Sequence, residues 1–111
     1  PPMSATQTLL VFTNLPDAAA AAKLATLVVE QRLAACVNIL APCSSVYRWA
    51  GAVETAGEVP LLIKTSAVRY PALEAAILAA HPYELPEIVA VPVERGLPAY
   101  LRWVAAETET D

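Results

Sequence analysis

The segment His81-Pro-Tyr-Glu-Leu-Pro-Glu87 concentrates an imidazole, a phenol and two carboxylates in one short stretch. Pro82 and Pro86 fix φ at about −65°, which lowers the entropy lost in holding the neighbouring side chains still. Imidazole and carboxylate together suit a borderline divalent ion such as Cu(II). His81 and Glu84, three residues apart on a stiff connector, can face one cleft as metal ligands. A thiolate from Cys36 on a neighbouring strand could join them. The other reading is structural. In it His81 ends a helix, favoured there by the helix dipole, Tyr83 packs in the connector and Glu84 is solvated. The chain has a single histidine, and residue types alone leave both readings open.

Cys36 can equally be a small buried hydrophobe at the start of a strand. Tyr47, Arg48 and Trp49 lie near a turn, where exposed aromatic residues point to an interface. Lys64 closes an apolar run and can snorkel to water or pair with a carboxylate such as Glu87. No Gly-rich phosphate loop, Gly-x-Ser-x-Gly, His-Glu-x-x-His or Cys-x-x-Cys occurs. An enzyme here would have to use His81 and Glu84 as acid and base. The expectation is a non-enzyme with no essential cofactor.

These residues need elements to position them. Thr8 to Thr13 reads as a buried strand. Asp17 is an N-cap candidate for a helix running through the alanines to about Leu33. Cys36 to Leu40 is a second strand, continued after Pro42 by Ser44 to Trp49. Trp49-Ala-Gly-Ala52 is a turn signal, and Val53 to Thr65 returns as the second half of a long hairpin. Pro60 removes a ladder donor, which predicts an edge or a bulge there. A helix from about Val68 to Ala80 follows, with Leu73, Ile77 and Leu78 inward. Glu87 to Val93 is the last strand, and Pro98 to about Ala106 a terminal helix. The order β-α-β-β-α-β plus a helix predicts an α+β fold with the ferredoxin-like arrangement.

The 111 residues suffice for one domain. Residues 8–106 read as that domain, 1–7 as a disordered or vector-derived leader in which Met3 is a candidate start, and 107–111 as a frayed acidic tail. Hydrophobic residues make up 57%, inflated by 23 alanines, which excludes disorder. With only 16% charged residues to cover the surface, some apolar area is expected to meet another subunit. Net charge is −4 and the seven basic residues are scattered, so nucleic acid and anionic lipid are not expected partners. No stretch reaches the roughly 20 apolar residues of a membrane span. With no leader visible, the expected location is cytoplasmic. Cys36 and Cys43 are expected to be free thiols.

In order along the chain, Cys36-Val-Asn-Ile, Tyr47-Arg-Trp49-x-Gly51, Leu62-Ile-Lys-Thr65 and His81-Pro-Tyr-Glu-x-Pro-Glu87 resemble the CutA family of divalent-ion tolerance proteins. The resemblance extends to Leu33-Ala-Ala-Cys36 and Tyr100-Leu-x-Trp103. It implies a ferredoxin-like protomer in a homotrimer with hairpins paired between subunits, a link to copper and other divalent metals, and likeness to PII signal proteins. An interaction module that docks a partner protein is the alternative this implies. Carried over, the inter-subunit ligand pocket would use Cys36, Trp49, Lys64, His81, Tyr83, Glu84 and Glu87. The chain departs from some members at Thr13 and Ala80, where a Cys and a second His can stand. Loss of those ligands predicts an incomplete, weak copper site.

Overall fold

The computed structural model describes residues 4–110. Its sheet is organised by β4 (Ala52–Ser66), which serves two sets of neighbours. From Val59 to Ser66 it runs antiparallel to β1 (Thr8–Leu15) in unbroken register. On its other side β2 (Cys36–Ile39) pairs from Cys36↔Lys64 to Ile39↔Leu61. β5 (Val89–Pro92) adds to the far side of β1, giving the order β2-β4-β1-β5. The remaining half of β4, Ala52 to Glu58, pairs only with β3 (Cys43–Trp49). β3 and the Ala52–Gly57 half of β4 are almost entirely exposed and form a two-stranded arm.

Alternation divides the sheet into two faces. Leu9, Val11, Thr13, Leu15, Val59, Leu61, Ile63 and Thr65 share one face and are all buried. Two helices cover it: α1 (Ala18–Glu30), which buries Ala21, Leu24, Ala25 and Val28, and α2 (Tyr70–Ala80), which buries Leu73 and Ile77. The opposite face carries Leu10, Phe12, Leu62 and Lys64, all half-buried, with Val89 and Val91 exposed. Only its Thr8–Ser66 end is closed, by α3 (Pro98–Glu107), where the hydroxyl of Thr108 donates to Ser66 Oγ at 3.0 Å.

Asp17 caps α1 as the sequence predicts, its carboxylate accepting from the Ala20 amide at 2.8 Å. The helix stops at Glu30, three residues before the expected Leu33. Arg32 takes a left-handed φ of 58°, and the amides of Leu33 and Ala34 both turn back to the Val28 carbonyl. Strain at a non-glycine residue is offset by what the Arg32 side chain does. Its Nε and Nη2 donate to the Glu109 and Ala106 carbonyls at the end of α3. Arg69 does the same for α1, donating to the Arg32 and Gln31 carbonyls. Two guanidinium groups thus tie helix ends where the partial charge is negative.

Several expectations need correction. The second helix begins at Tyr70, after a 3-10 turn over Ala67–Arg69. Leu78 is 54% exposed, since the inward stripe of α2 is narrow and takes only Leu73 and Ile77. The apolar run Leu61-Leu-Ile63 reads as the core of the returning strand, yet Leu62 is only half-buried, because alternation sends it to the open face. The last strand is shorter than the expected 87–93. Pro60 lies within an unbroken register, opposite Asn14. Its carbonyl accepts from Leu40 on the β2 side, so its missing amide falls just past the end of β2, where no ladder donor is needed. The expected disordered leader covers residues 1–3, which lie outside the described residues, and 4–7, which are held. The Gln7 side chain donates to the Val93 carbonyl at 2.8 Å, and the Ala67 and Val68 amides bond to Gln7 and Ala5. The tail is also anchored, with Thr108 1% exposed; Asp111 lies outside the described residues.

Thr13 is fully buried among apolar side chains, and its hydroxyl has no hydrogen-bond partner. An unsatisfied buried hydroxyl costs roughly 1–3 kcal/mol. Thr13→Val, nearly isosteric, is therefore expected to raise stability by about 1 kcal/mol in urea titration. Leu61→Ala, at 0% exposure on the same face, should lower it by about 2–5 kcal/mol. A Thr13→Val protein less stable than wild type would contradict the packing described here.

Candidate functional site at the foot of the arm

His81 follows α2 directly and closes it, its amide donating to the Ile77 carbonyl at 2.9 Å. The ring is 9% exposed and both nitrogens are engaged. Nδ1 accepts from the Tyr83 amide at 3.1 Å. That assignment leaves Nε2 carrying the proton, which it donates to the Asn14 carbonyl at 2.7 Å. The imidazole therefore braces the connector against the end of β1. A metal at either nitrogen would have to displace one of these bonds.

The brace sets the position of Tyr83, whose ring centroid is 4.8 Å from that of His81. Glu58, the last β4 residue paired with β3, lies in the neighbourhood of Tyr83. Partial burial, reinforced by Glu58 and by Tyr47 and Asp17 nearby, pushes the Tyr83 phenol up to about 12. Glu58 itself is only 9% exposed. Beside this corner the Asn14 amide donates to Glu87 Oε1 at 3.3 Å. Glu84 is exposed and shares no hydrogen bond with His81.

The other expected site residues lie elsewhere in the fold. Cys36 is half-buried opposite Lys64 in the β2–β4 ladder. Lys64 donates to the Asn38 side chain, not to Glu87 as the sequence allows. Burial, with the Cys36 thiol as the adjacent partner, raises the Tyr100 phenol above its ordinary value. Trp49 is at the arm tip, opposite Ala52 and 12 residues of β4 from Lys64, or about 40 Å. The expected pocket thus falls into three places: His81, Tyr83 and Glu87 at the foot of the arm, Cys36 and Lys64 on the open face, and Trp49 at the tip. Among the described residues no three His, Cys, Asp or Glu side chains form a metal-holding group. The described donors of this chain alone therefore do not assemble a divalent-ion site.

Glu58 is the member that the sequence does not reveal. Nothing in Gly57-Glu-Val59 marks it, and its partner Tyr83 is 25 residues away on a connector whose path depends on the docking of α2.

A four-stranded open sheet with α1 and α2 on one face, α3 at one end of the other and a protruding two-stranded arm defines an α+β protein whose sheet is left partly open. Residues 9–107 match the family model for the CutA1 divalent ion tolerance protein. The chain belongs to the CutA divalent-ion tolerance family. Mouse protein CutA is 44% identical over 99 residues, covering 89% of this chain and 56% of the mouse protein, so the chain spans little more than half that relative's length. The divalent-cation tolerance protein CutA of Thermus thermophilus is 42% identical over 89% of this chain and 96% of its own. The crystal structure of CutA from Xylella fastidiosa superposes with a TM-score of 0.90 at 45% identity, covering 93% of this chain and 99% of that one. No described helix is long and apolar enough to cross a membrane.

Tyrosinate absorbance should report one phenol titrating near pH 12 in wild type, lost or moved downward in Glu58→Gln. The sign of the stability effect follows. A phenol at about 10 unfolded and about 12 folded contributes fully below pH 10, and its contribution is lost as pH rises towards 12. Wild type should therefore lose more stability across that window than Glu58→Gln. Equal losses would remove Glu58 from the neighbourhood of Tyr83.

Proposed function

We propose that the protein acts in divalent-cation tolerance as a homotrimer of ferredoxin-like protomers, taking a metal ion or small ligand in clefts between subunits. The strand order β2-β4-β1-β5 with two helices on one face supports the ferredoxin-like reading. The observation that carries the assembly is the uncovered sheet face. Leu10, Phe12, Leu62, Val89 and Val91 form an apolar strip that no helix covers, and the arm continues outward with Val46, Tyr47, Trp49 and Val53 exposed. An isolated two-stranded hairpin is marginal in water and needs a third surface to pack on. The accessible surface of 6772 Å² also exceeds the roughly 5,900 Å² of a compact 11.7 kDa monomer.

Assembly is also the route by which the dispersed residues can meet. Cys36 and Lys64 of one protomer, the Trp49 of a second arm and the corner with Tyr83, Glu84 and Glu87 are too far apart to share a ligand in a single copy. A site built across copies supplies the donors that one protomer lacks.

Light scattering at micromolar concentration should give about three times the 11.7 kDa protomer mass. Leu62→Asp, which leaves the helix-covered core untouched, should shift that mass towards the protomer. A monomeric wild type would overturn the trimer. Cu(II) titration should show affinity of about micromolar order, falling as pH drops through roughly 6.5 if an imidazole ligates. Unchanged affinity in His81→Ala would exclude His81 from the metal and leave it as the brace described above.

A further inference from the structure

Lys64 is the only charged residue in the four-stranded part of the sheet, formed by Thr8–Leu15, Cys36–Ile39, residues 59–66 and Val89–Pro92. It projects from one of the two central strands onto the open face and is half-buried there. Its row across that face runs Cys36, Lys64, Leu10, Val91, and the next row runs Asn38, Leu62, Phe12, Val89. The strands bring no acid to this place. β1, β2 and β5 contain no Asp or Glu, and Glu58, the nearest on β4, is six residues or about 20 Å away. The hydrogen-bond partner of the ammonium is instead a neutral group, the Asn38 carboxamide oxygen. That bond fixes how the carboxamide is turned, with its oxygen on Lys64 and its NH2 left free. The remaining ammonium protons and the Asn38 NH2 are thus donors at one spot on an otherwise apolar surface. Covering such a cation in an assembly is unfavourable unless an anion accompanies it.

We propose that Lys64 and Asn38 form a recognition site for a small organic carboxylate, whose apolar body lies across Leu10, Leu62 and Val91. This rests on the small-ligand reading above and names the ligand class. The two donor groups suit the two oxygens of one carboxylate, and one cation balances its single charge. Inorganic phosphate fits less well. It carries more than one negative charge at neutral pH, and the flanking side chains offer neither a second cation nor donors for its other oxygens. The same ammonium repels a divalent cation, so of the two occupants named above this spot takes the small ligand. The apolar flank selects an alkyl body. With strands about 4.8 Å apart, Val91 lies two spacings or about 10 Å from Lys64, within reach of a carboxylate bearing a short chain. Leu10 and Leu62 are half-buried and Val91 is exposed, so each has apolar surface left to bury against that chain. Cys36, directly opposite Lys64 in the ladder, bounds the site on the β2 side.

The test uses the full chain at low ionic strength in a buffer free of carboxylate and phosphate. Sodium hexanoate is the probe, hexanamide its neutral control and inorganic phosphate a separate arm. Calorimetry is run on wild type, Lys64→Met, Lys64→Arg and Asn38→Ala, with mass by light scattering for each. Hexanoate should bind wild type, and hexanamide at least tenfold more weakly. Binding should weaken at least tenfold in Lys64→Met and several-fold in Asn38→Ala, while Lys64→Arg keeps most of it. Phosphate should bind more weakly than hexanoate. No hexanoate binding by wild type, or equal affinity in wild type and Lys64→Met, would overturn the site. Equal binding of hexanamide would reduce it to an apolar surface, and tighter binding of phosphate would make it a bare anion site; either result overturns the proposal. So does a changed mass in Lys64→Met, since the ammonium would then answer a carboxylate of a second copy. If Lys64→Met does not fold, full-strength hexanoate binding by Asn38→Ala overturns the proposal. The mass of wild type is read independently. Hexanoate held through Lys64 by a monomer would end the trimer reading and leave the carboxylate site standing.

Discussion

Strand β4 has to satisfy its backbone on both sides along fifteen residues, in a domain wide enough for only half of them. From Val59 onward β1 and β2 flank it, and the helix-covered core forms on one face. Before that point β3 is the sole neighbour, and the strand leaves the domain as the arm. The rest of the structure follows from where this change falls. The core ends at Leu15↔Val59, the last rung that β1 reaches, and Pro60 is tolerated one residue later because β2 has just stopped. The same boundary places Glu58 at the junction, 9% exposed and, by alternation, on the side of β4 away from α1 and α2.

That junction is held by residues of three separate segments. The end of β1 offers the Asn14 carbonyl, the chain after α2 offers the His81 ring, and the Tyr83 amide bonds back to that ring, which sets Tyr83 near Glu58. Each contact uses a group already oriented by the previous one. The imidazole has a donor side and an acceptor side, and both face backbone. A residue of the right type to hold a metal is thereby used as a strut. Rigidity at the arm's foot is the result, and it matters because beyond Glu58 the described arm strands pair only with each other.

The element order was legible in the sequence because each signal is local. Asp17 announces α1, Ala50-Gly51 announces a turn with φ of 51° and 83°, and Pro98 opens α3. What local pattern could not give was the end of α1. The Ala-rich helical run continues through Leu33-Ala34-Ala35, and it is the distant carbonyls of Ala106 and Glu109 that make a left-handed Arg32 worthwhile. The tail misled for the same reason: five polar residues read as frayed, yet Thr108 closes a buried hydroxyl pair with Ser66. The site was half legible. Composition marked out the His81–Glu87 connector, and the structural reading of His81 as the end of α2 describes its position. Glu58 escaped because an isolated glutamate in a strand acquires meaning only from what folds over it.

The sheet's two faces also bear on the substitution at position 13. Thr13 points to the helix-covered face and has 0% exposure, whereas Cys36 and Lys64 project from the other. A soft ligand at position 13 would sit in the core beneath α1 and α2, separated from the open-face residues by the thickness of the sheet. The absence of a cysteine there consequently removes nothing from the open face. Its effect is on packing, where threonine brings a hydroxyl that finds no partner. The polar chemistry of this chain is instead gathered outside the core, on the open face and along the arm, away from α1 and α2.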